Sequence, residues 1–302
     1  MSTWGSDLLA LIVWPGLLGG TLLGWFYLWF IRKLTARLQG RKGPYFFQPF
    51  YDFVKLLGKE TIVPAGINPV LFYGLPILSV GSALFALALV PVPSNSMSTF
   101  PGDLIVFIYL LEVPDLCEML AGFATRSPYG QVGASREAML SIAYNVPFLA
   151  AVIALAVQAG SFSLSALATT PLGWGSLVAA LAFFLALPAK LKLNPFSIPN
   201  AEQELCAGAH TEFNGLPLAL LELSHTLELV ALISLFATLI VSPLLGGLSA
   251  WVAFLALSIL LVILVTVLNT ATARIKLNQA FAFYWRWGAV AAVLVLIIAF
   301  IR

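Results

Sequence analysis

The sequence predicts an all-α, polytopic integral membrane protein with about eight transmembrane helices and a cytoplasmic amphipathic helix after the first of them. Three observations carry that expectation. The chain is 61% hydrophobic and only 9% charged, with a mean hydropathy of +0.99, values far from those of a soluble domain. Apolar runs of about 20 residues, the length that crosses a hydrocarbon core, recur along it. Of its 15 Lys and Arg residues, all except Arg302 fall in alternate gaps between those runs, the asymmetry that marks the cytoplasmic side of a membrane protein.

The expected spans are about 8–30, 69–91, 103–123, 138–158, 174–191, 218–242, 249–269 and 284–301, within a single membrane domain covering residues 1–302. The first carries Asp7, has no basic leader and runs into Arg32-Lys33, so it reads as a retained span rather than a signal peptide. Its Gly16, Gly20 and Gly24 recur every four residues and allow a neighbouring helix to approach closely. Trp4, Trp25, Trp29, Trp251, Trp285 and Trp287 lie near span ends, where interfacial anchors concentrate. Basic residues follow the first, third, fifth and seventh spans: Arg32 to Lys59, Arg126 with Arg136, Lys190 with Lys192, and Arg274, Lys276 and Arg286. The connections 92–102, 159–173 and 243–248 hold no Lys or Arg. The basic loops are therefore expected on the cytoplasmic side of the cell membrane, with both termini outside.

Three cytoplasmic loops are informative. In the first, Phe46, Phe47, Phe50, Phe53, Val54 and Leu57 recur with a helix-like period. That amphipathic segment suits either a basic anchor on anionic membrane lipid or a docking platform for a cytoplasmic partner. The second, 125–139, reads as a turn through Pro128, Gly130 and Gly133, with Ser135 capping the next helix. Arg136 and Glu137 would then enter that helix in its first turn, where a Glu complements the dipole. The third loop carries Glu202, Glu204 and Glu212 among Phe196, Ile198, Leu205 and Phe213. Such interleaving points to a folded, partner-facing or cavity-lining segment rather than a plain turn.

Carboxylates inside apolar runs are costly and therefore usually functional. Glu112, Asp115 and Glu118 stand at i, i+3 and i+6, within about 120° of one another on a helix, and Pro114 interrupts the ladder between them. Glu222 and Glu228 share a broad face of the sixth span. Together with Glu137 these acids are the expected proton path. His225 reads as a packed helix histidine. Cys117, Cys206, His210 and His225 have no metal-ligand spacing, and no phosphate loop or nucleophile motif is present. The chain is expected to bind no cofactor and no nucleic acid.

The loops also carry motifs. The first holds Arg37-x-Gln39-x-Arg41-x-Gly43-Pro44, then Asp52-x-x-Lys55-Leu56 and Lys59-Glu60. The second holds Gly133-Ala134-Ser135-Arg136-Glu137-Ala138-Met139. The third holds Pro195-Phe196-x-x-Pro199-x-Ala201-Glu202-x-Glu204-Leu205, then Gly208 and Thr211-Glu212-Phe213-x-Gly215. In this order, over about residues 30–290, the chain resembles the eight-helix membrane subunit shared by complex I (its H, or ND1, subunit) and energy-converting membrane-bound nickel–iron hydrogenases. The second motif looks closer to the hydrogenase and formate hydrogenlyase branch.

The resemblance implies a non-catalytic membrane-anchor and coupling subunit of an oxidoreductase complex. Its loops would dock hydrogenase-like or complex I-like small (iron–sulfur) and large subunits, which carry the iron–sulfur clusters and a nickel–iron site. Antiporter-like membrane subunits would adjoin it and move protons or sodium. Ferredoxin or formate would supply electrons. Arg37, Gln39, Arg41, Asp52, Lys55, Lys59, Glu60, Arg136, Glu202, Glu204 and Glu212 would form the docking and coupling loops. Departures bear on mechanism: the family commonly has Asp where Ser197 stands, Glu at Asn200 and, in complex I, Glu at Asn145. An arginine expected before Pro195-Phe196 is replaced by the Lys192-Leu193 region. These changes weigh against a direct copy of the complex I proton route and of its quinone site. The alternatives are the H subunit of a quinone-reducing complex I relative, a related complex reducing sulfur compounds, and a stand-alone secondary transporter.

Overall fold

The computed structural model describes residues 3–95, 97–171, 173–241 and 247–300. Arg302 and the side chains of Trp4 and Glu202 lie outside that description, as does most of the 243–248 connection. Among the described residues the fold is all-helical. The long helices are α1 (Thr3–Ile12) continuing into α2 (Leu17–Leu38), α4 (Pro69–Leu89), α5 (Asp103–Ala124) and α6 (Pro128–Ala159), then α8 (Trp174–Lys190), α10 (Gly215–Val241), α11 (Gly247–Ala271), and α12 (Leu277–Phe283) continuing through a π-helical turn, Tyr284–Gly288, into α13 (Ala289–Phe300). Short helices α3 (Gln48–Leu57), α7 (Leu164–Thr169) and α9 (Glu202–Leu205) and a 3₁₀ turn, Gly208–His210, complete the order.

Six of these helices are long and apolar enough to cross a membrane, and Trp174–Lys190 is a shorter apolar helix. Asp103–Ala124 has the length of a span, at 22 residues, but carries three interior carboxylates. The chain is thus a membrane-embedded, multi-pass protein. Pro15 and Gly16 separate α1 from α2, since proline lacks the N–H that would continue the ladder.

α10 is the central helix: 78% of its apolar window is buried, against 22% for the C-terminal helix. It packs on α4, α11 and α2. A buried hydrogen bond of 2.6 Å between Ser79 and Ser224 ties α4 to α10. The small residues of α2 act as their spacing predicts. Gly24 is buried against Thr226 and Val230, and Gly20 against Leu87 and Leu227, so α2 and α10 approach closely. α5 packs on α4 and α6, while α6 packs on α8 and α13.

One loop differs from its expectation. Residues 128–137 are not a turn but the first turns of α6, which starts at Pro128 with Ser127 at the N-cap position. Proline is pre-organised for the first helical position, and Gly130 and Gly133 are packing contacts rather than breakers. Gly130 lies against Gly122, and Gly133 against Gly208 and Ala209. Ser135 therefore caps nothing; its hydroxyl donates to the Val132 carbonyl at 2.9 Å. Glu137 sits well inside the helix and is 2% exposed, so a first-turn dipole role is excluded.

Candidate functional site

Five carboxylates from three helices converge on two lysines. Lys190 ends α8, and Lys192 follows it with positive φ (54°), a turn that returns the second ammonium to the same cluster. Lys190 Nζ lies 3.0 Å from Glu112, 2.9 Å from Asp115 and 3.4 Å from Glu228. It also donates to the Leu111 carbonyl at 3.1 Å, in the turn that Pro114 loosens. Lys192 Nζ pairs with Glu118, lies 3.3 Å from Asp115 and 3.6 Å from Glu137. Tyr144 Oη donates to Asp115 at 2.9 Å, and Asn145 Nδ2 donates to Glu112 at 2.8 Å. Both lysines, Asp115, Glu118, Glu137 and Glu228 are buried.

The i, i+3, i+6 spacing on α5 delivers all three of its acids to this cluster, and α6 and α10 add Glu137 and Glu228. Glu222 does not join them. It is exposed on α10 and faces a cavity of about 220 Å³ with Arg32, Asp52, Phe53 and Trp25. Six residues on a helix amount to 600°, which leaves Glu222 and Glu228 about 120° apart; one turns toward α5 and α8, the other toward α2 and α3.

His210 adjoins the cluster from the third loop. The 3₁₀ turn of the third loop sets its imidazole 3.4 Å from Glu118. Burial pushes His210 down, but Glu118 and then Glu222 outweigh it and hold the histidine above its ordinary value. The turn can sit there because Gly133 and Gly122 offer no Cβ to Ala209 and Gly208. A second opening lies on the flank between α5 and α6. There Glu112 and Asn145 lie at an apolar cavity of about 310 Å³ with Leu104, Tyr109, Leu149 and Phe162.

The expected docking residues are spread over one end of the bundle. Arg37, Gln39, Arg41, Lys55, Lys59 and Glu60 are exposed. Asp52 accepts from Arg32 at 2.7 Å and Gln48 at 2.8 Å; burial raises its carboxyl, but these two bonds hold it below the usual range. Arg136 donates to Glu204 at 2.6 Å, which keeps the exposed Glu204 carboxyl low. Glu212 is half-buried, with its carbonyl 3.5 Å from Asn214 Nδ2.

The charge pattern places Lys190 and Lys192 among the loop cations, and they are instead the buried centre of the site. The signal for this exists in the chain: five converging acids, four of them buried, require counter-charge, and Lys190 closes an apolar run. Tyr144 and His210 give no such signal. Asn145 and Ser197 are used as neutral donors, Asn145 to Glu112 and Ser197 to Asn194. Arg274 then holds the third loop through Ser197 (3.3 Å) and Gln203 (3.0 Å). Among the described residues no group of His, Cys, Asp and Glu is arranged to hold a metal ion.

The chain matches the NADH dehydrogenase family over residues 11–300. It is 30% identical over 309 residues to the second H subunit of the NADH-quinone oxidoreductase of Syntrophobacter fumaroxidans (strain DSM 10017 / MPOB), a match covering 95% of this chain and 93% of that protein. Its fold is similar, with a TM-score of 0.87 and 30% identity, to a chain in the structure of the membrane-bound sulfane sulfur reductase, an archaeal respiratory membrane complex. That likeness covers 99% of this chain and 100% of the other. The chain belongs to the NADH dehydrogenase family, of the ND1 type, and is a membrane subunit of a complex I-like respiratory complex.

Proposed function

We propose that this protein anchors a cytoplasmic redox arm and couples its electron transfer to proton or sodium movement in adjoining antiporter-like subunits. The carrying observation is the excess of buried carboxylate. Five acids face Lys190 and Lys192, a formal balance of −3 (2 − 5) with His210 neutral. Burying that charge is costly, and protons are the mobile charge that offsets it. A charge change near the third loop reaches the cluster through His210 and Glu118, and Glu112 presents the cluster to the α5–α6 flank. In this reading the basic loops are cytoplasmic and both termini lie outside, as the positive-inside rule requires. The arm is hydrogenase-like, with iron–sulfur clusters and a nickel–iron site in partner subunits and ferredoxin or formate as electron source.

The second reading is the equivalent membrane subunit of a quinone-reducing complex. Two observations favour it: the cavity of about 220 Å³ between α2, α3 and α10, and the relative whose name specifies NADH-quinone oxidoreductase. Purification of the native complex separates them. Nickel with hydrogen evolution supports the first, and quinone-dependent oxidation without nickel supports the second. For coupling itself, Glu112→Gln and Glu228→Gln are expected to abolish ion pumping in sealed vesicles while the complex still assembles. Unchanged pumping in both variants refutes it.

A further inference from the structure

A second cleft lies on a different face of α3 from the Glu222 cavity. Leu22, Trp25 and Phe26 of α2 and Phe46, Phe47 and Phe50 line an apolar space of about 400 Å³. Leu22, Phe46, Phe47 and Phe50 are 40–64% exposed, so the rings are not covered by this chain. Along α2, Leu22, Phe26, Trp29 and Lys33 follow at i, i+4, i+7 and i+11 and form one stripe. Eleven residues at 1.5 Å each span about 16 Å, close to one leaflet of a roughly 30 Å hydrocarbon core.

The cationic end of that stripe is built by the loop returning from α2. Trp29 Nε1 donates to the Pro44 carbonyl at 3.3 Å, and Phe46 meets the Trp29 ring edge-on at 5.0 Å. A Cβ on Gly43 would lie 2.9 Å from Lys33 Cα, so the absence of a side chain there lets the loop pass close over Lys33, with the exposed Lys42 the preceding residue. No acid occurs between Asp7 and Asp52, and Asp52 is taken by Arg32 at 2.7 Å. Lys33 and Lys42 have no ion-pair partner among the described residues.

We infer that this cleft is a binding site for an anionic phospholipid, its phosphate held between Lys33 and Lys42 and one acyl chain laid along Leu22, Phe26 and the Phe46–Phe50 rings. The site would brace α3 against α2, and it stands apart from the coupling reading. At about 1 kcal/mol per lysine near an anionic surface, and 1.4 kcal/mol per tenfold, the preference over a zwitterionic lipid is about 30-fold.

The test uses the whole complex in phosphatidylcholine nanodiscs containing a small fraction of bromine-labelled phosphatidylglycerol or bromine-labelled phosphatidylcholine. Bromine quenches nearby tryptophan, and subtraction of a Trp25→Phe/Trp29→Phe variant isolates the emission from the cleft. The expected result is half-quenching at about 30-fold lower mole fraction of the phosphatidylglycerol, with the difference lost in Lys33→Gln/Lys42→Gln. Equal quenching by both lipids in the wild type overturns the proposal, as does an unchanged preference in the lysine variant. Should the tryptophan variant fail to assemble, native mass spectrometry of retained phosphatidylglycerol in the wild type and lysine variant gives the same decision. A short-chain quinone that quenches the cleft and is not displaced by phosphatidylglycerol would also overturn it.

Discussion

Replacing Lys190 by Met removes the cation on which α5 and α10 close while keeping nearly the same volume. The ammonium has carboxylate oxygens of Glu112, Asp115 and Glu228 at 3.0, 2.9 and 3.4 Å, and its side chain is 1% exposed. An exposed ion pair contributes about 0–1 kcal/mol, whereas stranding one partner of a buried pair costs about 3–5 kcal/mol. The larger figure applies here, because the ammonium is enclosed and three carboxylates lose it together. Lys190→Met should therefore lower stability by about 3–5 kcal/mol, a factor of roughly 150–5,000 in the folded ratio. Adding Asp115→Asn removes the acid most fully enclosed with Lys190, so the double variant should recover about 1–3 kcal/mol of that loss. Denaturant unfolding in mild detergent, followed by tryptophan emission, reads both numbers. A single-variant loss under about 1 kcal/mol, or a double variant no better than the single, would refute the picture of a desolvated, mutually compensated cluster.

Two further outcomes follow from the third loop. His210 is held above its ordinary value by Glu118, so its ion pair contributes fully below about pH 6.5 and is lost as pH rises through the higher folded value. His210→Gln should thus lower the unfolding midpoint more at pH 6 than at pH 9; an equal loss at both would exclude a charged pair. A Cβ at Gly133 would meet Gly208 Cα and Ala209 N at 2.9 Å each, and neither backbone atom can swing aside. Gly133→Ala should cost about 1–3 kcal/mol and abolish the pH difference produced by His210→Gln, because the turn carrying the histidine is pushed off Glu118. A stability within about 0.5 kcal/mol of wild type would show that the turn yields freely.

Most of the fold could be read from the chain because a bilayer leaves few options: apolar runs of sufficient length become helices. The same logic located Glu112, Asp115 and Glu118, whose spacing alone places them together. It failed where tertiary packing decides. Pro128, Gly130 and Gly133 look like a turn until Gly208 and Ala209 are found lying against Gly133. Glu222 and Glu228 look alike on the sixth span, yet the neighbours that bury one leave the other in a cavity. Lys190 and Lys192 mislead because a cytoplasmic-side lysine satisfies the positive-inside pattern whether it points to water or inward, and only the acids of distant helices reveal which.

That distance in the chain has a consequence for biogenesis. Asp115 lies 75 residues before Lys190, so α5 leaves the ribosome long before its counter-charge exists. At about 5–20 residues per second, the delay is roughly 4–15 s, during which a helix with three acids must wait in or beside the insertion machinery. A central Asp opposes insertion by about 2.5–3.5 kcal/mol, and nothing earlier in the chain supplies a lysine that this structure brings to it. Stable insertion of α5 is therefore expected only when α8 arrives. In a chain halted before Lys190, Cys117 of α5 should remain open to a water-soluble thiol reagent, whereas in one halted after α8 it should be shielded.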